Sequence, residues 1–254
     1  MSARLSETEL KAACNSFISV SRTDHSVEIT LPVIYPGGKA VSVVVEEGDD
    51  GQYVVHDASQ GEMQLTLSGI EVNKKLRHRL ELLAKQFGCS YNSGRVLTKC
   101  TADQIPVAIV LVSNASKSVG DHAMRLSAEQ ADAFRQAVSD RLRSIVGKRL
   151  REREPIAGDS GQEYRVGHII LDQNEKAPIA FVEAVPNSEA VPRKVSEFLD
   201  LSDQYPDVKR EAIYDDKVNW ENHSLLRLKR VSNPVAFTIS DSRIRAIAEP
   251  VIFV

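Results

Sequence analysis

No C-x-x-C pair occurs in the 254 residues, and the three cysteines, Cys14, Cys89 and Cys100, are scattered and odd in number. That pattern offers neither a zinc knuckle nor a disulfide framework, and it fits buried or inert thiols in a reducing compartment. The sequence also lacks G-x-S-x-G, a P-loop, G-x-G-x-x-G and H-E-x-x-H, so the usual nucleophile, phosphate and zinc-protease motifs are missing. No apolar run approaches the roughly 20 residues that span a bilayer. The longest, Ile105 to Val112, is short and carries Pro106. Glu7, Glu9 and Lys11 interrupt any early apolar stretch, so no signal peptide and no membrane contact are expected, and a cytoplasmic location is. A net charge of −3 gives no global attraction to nucleic acid. What is present, 42% hydrophobic and 26% charged residues, matches an ordinary globular chain long enough for one large or two modest domains.

The first half begins with a helix, in which Ser6 and Glu9 have capping-box spacing and Leu10, Cys14, Phe17 and Ile18 share a face. A hairpin follows, Ser26 to Val33 and Ala40 to Val45 around Tyr35-Pro36-Gly37-Gly38, then a strand from Gln52 to His56. A helix over about 72–87 presents Leu76, Leu80, Leu83 and Phe87 and stops at Gly88. Two short strands flank Asn92-Ser93-Gly94, and Thr101 with Gln104 opens a helix reaching Val119. The polar stretch Ser113 to Met124 is the expected domain boundary.

In the second half, Ser127 and Gln130 form a capping box ahead of Ala131, Phe134, Val138, Leu142, Ile145 and Val146, which recur at helical spacing. After a loop, Pro155 to Gln162, come strands Tyr164 to Leu171 and Pro178 to Val185, joined by Gln173-Asn174-Glu175-Lys176. A helix over 189–201, a strand over 209–214, a helix over 218–228 and a strand over 235–239 complete the series. The fold class expected is α+β in two domains: residues 1–125, a small α+β domain, and residues 126–254, an αβββαβ domain.

Four groups of residues could carry chemistry. Glu183 shares a strand face with Ile179, Phe181 and Val185, where a lone carboxylate is costly unless paired or metal-bound. His168 and Asp172 stand on or beside the preceding strand, and Lys194 lies on the following helix. His56 and Asp57 end a strand before a short helix. They suit proton transfer or metal binding, while an Asp there commonly caps the helix, the preferred reading. Arg141, Arg143, Lys148, Arg149, Arg151 and Arg153 form a basic patch near a helix end, diluted by Glu152 and Glu154. A solvated face is preferred over a phosphate-binding groove there. Tyr214-Asp215-Asp216 precedes Trp220 and His223, and helix capping is favoured over a metal site.

The order helix, strands, helix, strand, helix, strand, with Glu183 on the strand Ala177 to Val185, resembles the core of the restriction-endonuclease-like nucleases. Their signature puts a carboxylate and a lysine two residues apart on one strand. Here Glu183 is followed by Val185. The resemblance implies two acids holding Mg²⁺ and a lysine at the attacked phosphate, a role for which Asp172, Glu183 and Lys194 are the candidates. The strand ending in Asp57, the Leu67-Ser68-Gly69-Ile70 close, Gly158-Asp159-Ser160-Gly161, Phe181-Val182-Glu183-Ala184-Val185 and Tyr214-Asp215-Asp216 together resemble an uncharacterised bacterial and prophage-associated family of two consecutive domains of unknown function. That likeness implies a mobile-element setting but no activity.

Three functions stay open. The leading one is a non-catalytic, macromolecule-binding protein without a cofactor, antitoxin-like or related to phage defence or counter-defence, with a protein partner favoured over nucleic acid. The second is a Mg²⁺-dependent nuclease with a rearranged site. The third is a homo-oligomeric scaffold using Trp220 and Val251-Ile252-Phe253-Val254, although that apolar end reads better as a last strand.

Overall fold

The computed structural model describes residues 6–48 and 51–249. The chain is mixed α+β and divides into two compact units at Ser127/Ala128. The expected C-terminal strand over 251–254 lies outside the described residues.

The first unit holds a six-stranded antiparallel sheet in the order β1-β2-β3-β4-β6-β5. Its strands are β1 (Ser19–Arg22), β2 (Ser26–Ile34), β3 (Ala40–Glu47), β4 (Tyr53–His56), β5 (Ser90–Asn92) and β6 (Arg95–Cys100). Three short helices accompany it: α1 (Glu7–Ser16), α2 (Gln60–Leu67) and α3 (Lys74–Lys85). The capping box of Ser6 and Glu9 starts α1, and Asn73 caps α3 by accepting the Leu76 N–H. Val43, Val55, Leu65, Leu80 and Val96 form the core.

One 42-residue helix, α4 (Ile105–Val146), replaces the two helices expected, one reaching Val119 and one opening at Ser127. Ser127 and Gln130 lie inside it and open nothing. Pro106 occupies its first turn, where a missing N–H costs little. The polar stretch stays helical because its groups find partners: Lys117 pairs with Asp121 one turn on, and Ser116 bonds into the core. Two buried stripes run along α4. Ala108, Val112, Ala115, Val119 and Ala123 belong to the first unit's core, and Phe134, Val138, Leu142 and Val146 to the second's.

The second unit carries a five-stranded mixed sheet, β13-β12-β11-β10-β7. Here β7 (Leu150–Glu152), β10 (His168–Leu171) and β11 (Pro178–Val185) run antiparallel, while β12 (Lys209–Tyr214) and β13 (Asn233–Ala236) run parallel to β11. The expected loop at 155–162 and strand at 164–171 resolve differently. β8 (Pro155–Ala157) pairs with β9 (Glu163–Arg165) as a small ribbon, and the chain breaks at Val166-Gly167 before β10. Helices α5 (Val191–Gln204), α6 (Asn222–Val231) and α7 (Ser240–Ala248) complete the unit.

Central strand β11 is buried on both faces, so its alternate residues enter two layers. Ala180, Val182 and Ala184 meet α4 and α7, while Phe181 and Val185 meet α5 and α6. That alternation sends Glu183 toward α5. Among the described residues, no helix is long and apolar enough to cross a membrane.

Candidate functional site

Glu183 and Glu197 are 3% and 2% exposed, deep among the apolar residues between β11 and α5. Burying two carboxylates there requires compensating donors. Lys194, one turn before Glu197 on α5, supplies the main one. Its Nζ lies 2.8 Å from Glu183 Oε2 and 2.9 Å from Glu197 Oε2. The backbone N–H of Gly167 donates to Glu183 Oε1 at 2.7 Å. Glu197 Oε1 is buried with no hydrogen-bond partner among the described residues.

One ammonium thus serves two carboxylates, and the cluster has a surplus negative charge in an apolar setting. Burial pushes the Glu183 carboxyl from its ordinary 4.5 up to about 7. The Lys194 ammonium opposes that rise and the Glu197 charge adds to it. Near neutral pH the cluster therefore holds or releases one proton.

Gly167 stands opposite Glu183, just before β10. A Cβ there would lie 2.9 Å from Glu183 Oε2, closer than real Cβ contacts. No side chain fits at 167 without moving Glu183, so the place is held by a backbone donor.

Of the sequence candidates, the fold brings Glu183 and Lys194 together and leaves Asp172 out. Asp172 closes the β10–β11 turn, where it accepts the N–H groups of Asn174 (3.1 Å) and Lys176 (2.8 Å). Those bonds, that of Lys176 first, hold its carboxyl below the usual range. Pro178, which pairs with Leu171, is five residues from Glu183, about 17 Å of extended strand. His168 enters the opposite layer. Its Nδ1 donates to the Val182 carbonyl at 3.2 Å, so its Nε2 accepts from Ser139 Oγ at 2.7 Å. Burial lowers its pKa, consistent with a neutral ring.

Asp57 is fully buried and fully used. Its Oδ1 accepts from the N–H groups of Ser59 (3.1 Å) and Val96 (2.9 Å), and Oδ2 from Gly61 N–H (3.0 Å) and Ser116 Oγ (2.5 Å). Tyr35 Oη in turn donates to Ser116 Oγ at 2.6 Å, and burial pushes the Tyr35 phenol up to about 12. This chain anchors the start of α2 and ties it to β6 and α4. His56 Nδ1 accepts the Ala58 N–H, and its Nε2 lies 3.2 Å from Glu46 Oε1 without hydrogen-bond geometry. His56 and Asp57 serve the turn and present no open reactive pair.

Most of the basic run is engaged within the second unit. Arg141 stacks over Phe237 and pairs with Asp241, Arg143 pairs with Asp140 and Glu152, and Arg149 donates to the Ala248 carbonyl. Arg151 binds the Lys148 carbonyl and Glu175. Lys148 and Arg153 alone in that run have no carboxylate or carbonyl partner among the described residues. The expected helix caps Asp215 and Asp216 do other work, because α6 begins later, at Asn222. Asp215 Oδ1 accepts the Lys217 N–H, while Asp216 holds Thr238 through its N–H and hydroxyl. Trp220 donates to the Asp215 carbonyl and meets Tyr214 edge-on, which makes it an internal anchor.

Sequence reasoning missed Glu197 and Gly167. The signals available were the i,i+3 spacing of Lys194 and Glu197 and a glycine beside a strand, which marks close approach of another group. The chain matches no protein-family model, no curated protein and no solved structure.

Proposed function

We propose that this chain is a non-catalytic, macromolecule-binding protein whose second unit is a nuclease-like frame with a closed hydrolytic centre. One observation carries the reading. Both oxygens of Glu183 are engaged, by Gly167 N–H and by Lys194, and a side chain at 167 would have to displace the Glu183 carboxylate. A resident Mg²⁺ does not fit this arrangement. Lys194 Nζ stands between the two carboxylates where a cation would be held. The order of α4, β7, β10, β11, α5 and β12 supports the nuclease-like frame.

The resemblance to a prophage-associated family adds a setting, namely an antitoxin-like role or one in phage defence or counter-defence, inside the cell. A protein partner is favoured over nucleic acid for this role, and the Arg141 to Arg153 face, mostly engaged internally, reads as a solvated face with little uncompensated charge left for phosphates.

The test is incubation of the purified chain with DNA and RNA in Mg²⁺ and Mn²⁺, beside Glu183→Ala. No cleavage by either folded protein is the expected result. Cleavage by the parent that Glu183→Ala abolishes would sink the proposal. It would favour a second reading, a nuclease using Glu183, Glu197 and Lys194, for which the unpartnered Glu197 Oε1 speaks.

A further inference from the structure

Uncompensated positive charge gathers in a place the sequence does not mark as a run. The first residues of β12, the last turn of α6 and one residue of α7 line a cleft of about 370 Å³. Lys209, Arg210, Lys229, Arg230 and Arg243 contribute five cations against one carboxylate, Glu211. In a chain of net charge −3 this is a strong local excess.

Two of the five cations are committed. Arg243 grips the buried Glu211 through Nε and Nη2, and Asn233 Nδ2 donates to the same carboxylate at 2.7 Å. Arg210 donates to the carbonyls of Tyr205, Val208 and Val231. It therefore already neutralises the carbonyl ends of α5 and α6, the ordinary reason for cations at that place. Lys209, Lys229 and Arg230 exceed this need. All three are exposed, and none has a carboxylate partner among the described residues.

We infer that this cleft binds the phosphodiester backbone of a nucleic acid. Its volume is at the lower end of the roughly 300–1,000 Å³ of ligand sites, enough for a nucleotide-sized segment. Ammonium and guanidinium groups together suit phosphate oxygens. Only Leu199 and Val231 are apolar, too little to seat the anchor of an acidic peptide. No aromatic side chain lines the cleft, so bases are not stacked there and binding is independent of sequence. This site shares no residue with the Glu183 cluster and stands whether or not that cluster is catalytic.

The experiment is fluorescence anisotropy of the full chain with labelled duplex DNA, single-stranded DNA and RNA oligonucleotides across a salt series. The cleft variant is Lys209→Glu/Lys229→Glu/Arg230→Glu, and Lys148→Glu/Arg153→Glu is the control, each checked for native circular dichroism. The parent is expected to bind at low salt without sequence preference. The cleft variant should lose at least about tenfold in affinity and about 2 to 3 units of log–log salt slope on duplex DNA, while the control stays within about threefold. Absence of binding by the parent to all three probes overturns the inference, as do equal losses in both variants. Binding of poly-glutamate with no oligonucleotide bound would assign the cleft to an acidic protein. Full displacement of bound oligonucleotide by millimolar mononucleotide would assign it to free nucleotides. Either result overturns the polymer site.

Discussion

Gly167 gives its backbone N–H to Glu183 at 2.7 Å, and a methyl group at 167 would come within 2.9 Å of the same carboxylate. The glycine is therefore both donor and spacer. Gly167→Ala should destabilise the second unit by roughly 1–3 kcal/mol through overpacking. The check is a double-mutant cycle by urea unfolding with Glu183→Ala. Removing the carboxylate removes the clash, so the two changes should be strongly non-additive, whereas additive losses would place the strain elsewhere.

The raised pKa of Glu183 makes stability depend on pH with a defined sign. The carboxyl titrates near 4.5 when unfolded and about 7 when folded, so between these values the folded state holds the extra proton. Its contribution is present below about 4.5 and is lost as pH rises through about 7. Relative to Glu183→Gln, the parent should lose about 1.4 kcal/mol per pH unit inside that window and show no further relative change above it. Parallel stability curves for the two proteins would show that Glu183 titrates normally.

Removing the ammonium should do more harm at high pH. Lys194→Met leaves two buried carboxylates facing each other, a loss of about 3–5 kcal/mol for a broken buried pair. At pH 8 the drop in melting temperature should be large. At pH 5, where Glu183 carries its proton, it should be clearly smaller. Equal drops at both values would mean that the stem of Lys194, rather than its charge, matters.

Asp57 should behave as a structural hub. Asp57→Ala strands three backbone N–H groups, those of Gly61 and Val96 buried and that of Ser59 half-buried, at about 1–3 kcal/mol for each buried one before relaxation, and should unfold the first unit or cost most of its stability. Tyr35→Phe removes only the outer bond of the chain and should cost about 1 kcal/mol. If Asp57→Ala proves as mild as Tyr35→Phe in urea unfolding, the hub role is refuted.

The three thiols should separate by reactivity. Cys14 is exposed, while Cys89 and Cys100 are buried, and burial pushes the Cys89 thiol up to about 11. A colorimetric thiol reagent should label one cysteine rapidly in the native protein and all three after denaturation. Rapid labelling of three thiols in the native state would contradict this burial.

Short-range patterns were readable in the chain. The Ser6–Glu9 capping box, the hairpin around Pro36-Gly37-Gly38, the apolar stripe of α3 ending at Gly88 and the strand carrying Glu183 all depend on neighbours within a few residues. The polar stretch 113–124 misled in one respect, for one helix was expected to end near Val119 and another to open at Ser127, and α4 runs through unbroken. Ser116 is satisfied by Asp57, 59 positions away, and Lys117 by Asp121 one turn on. Asp215 and Asp216 misled in the same way, since Thr238, remote in sequence, supplies the partner of Asp216.

The sequence by itself determined local elements such as the capped start of α1, the β2–β3 hairpin, the apolar stripe of α3 and strand β11, because side-chain period and capping are local properties. Only the tertiary structure decided that Lys194 serves Glu183 and Glu197 together, that Gly167 gives its backbone N–H to Glu183, and that Asp172 stands apart. It also decided that Lys209, Lys229 and Arg230 share a cleft. These relationships follow from strand register and from which helix covers which face, and they join residues whose separation along the chain carries no period to read.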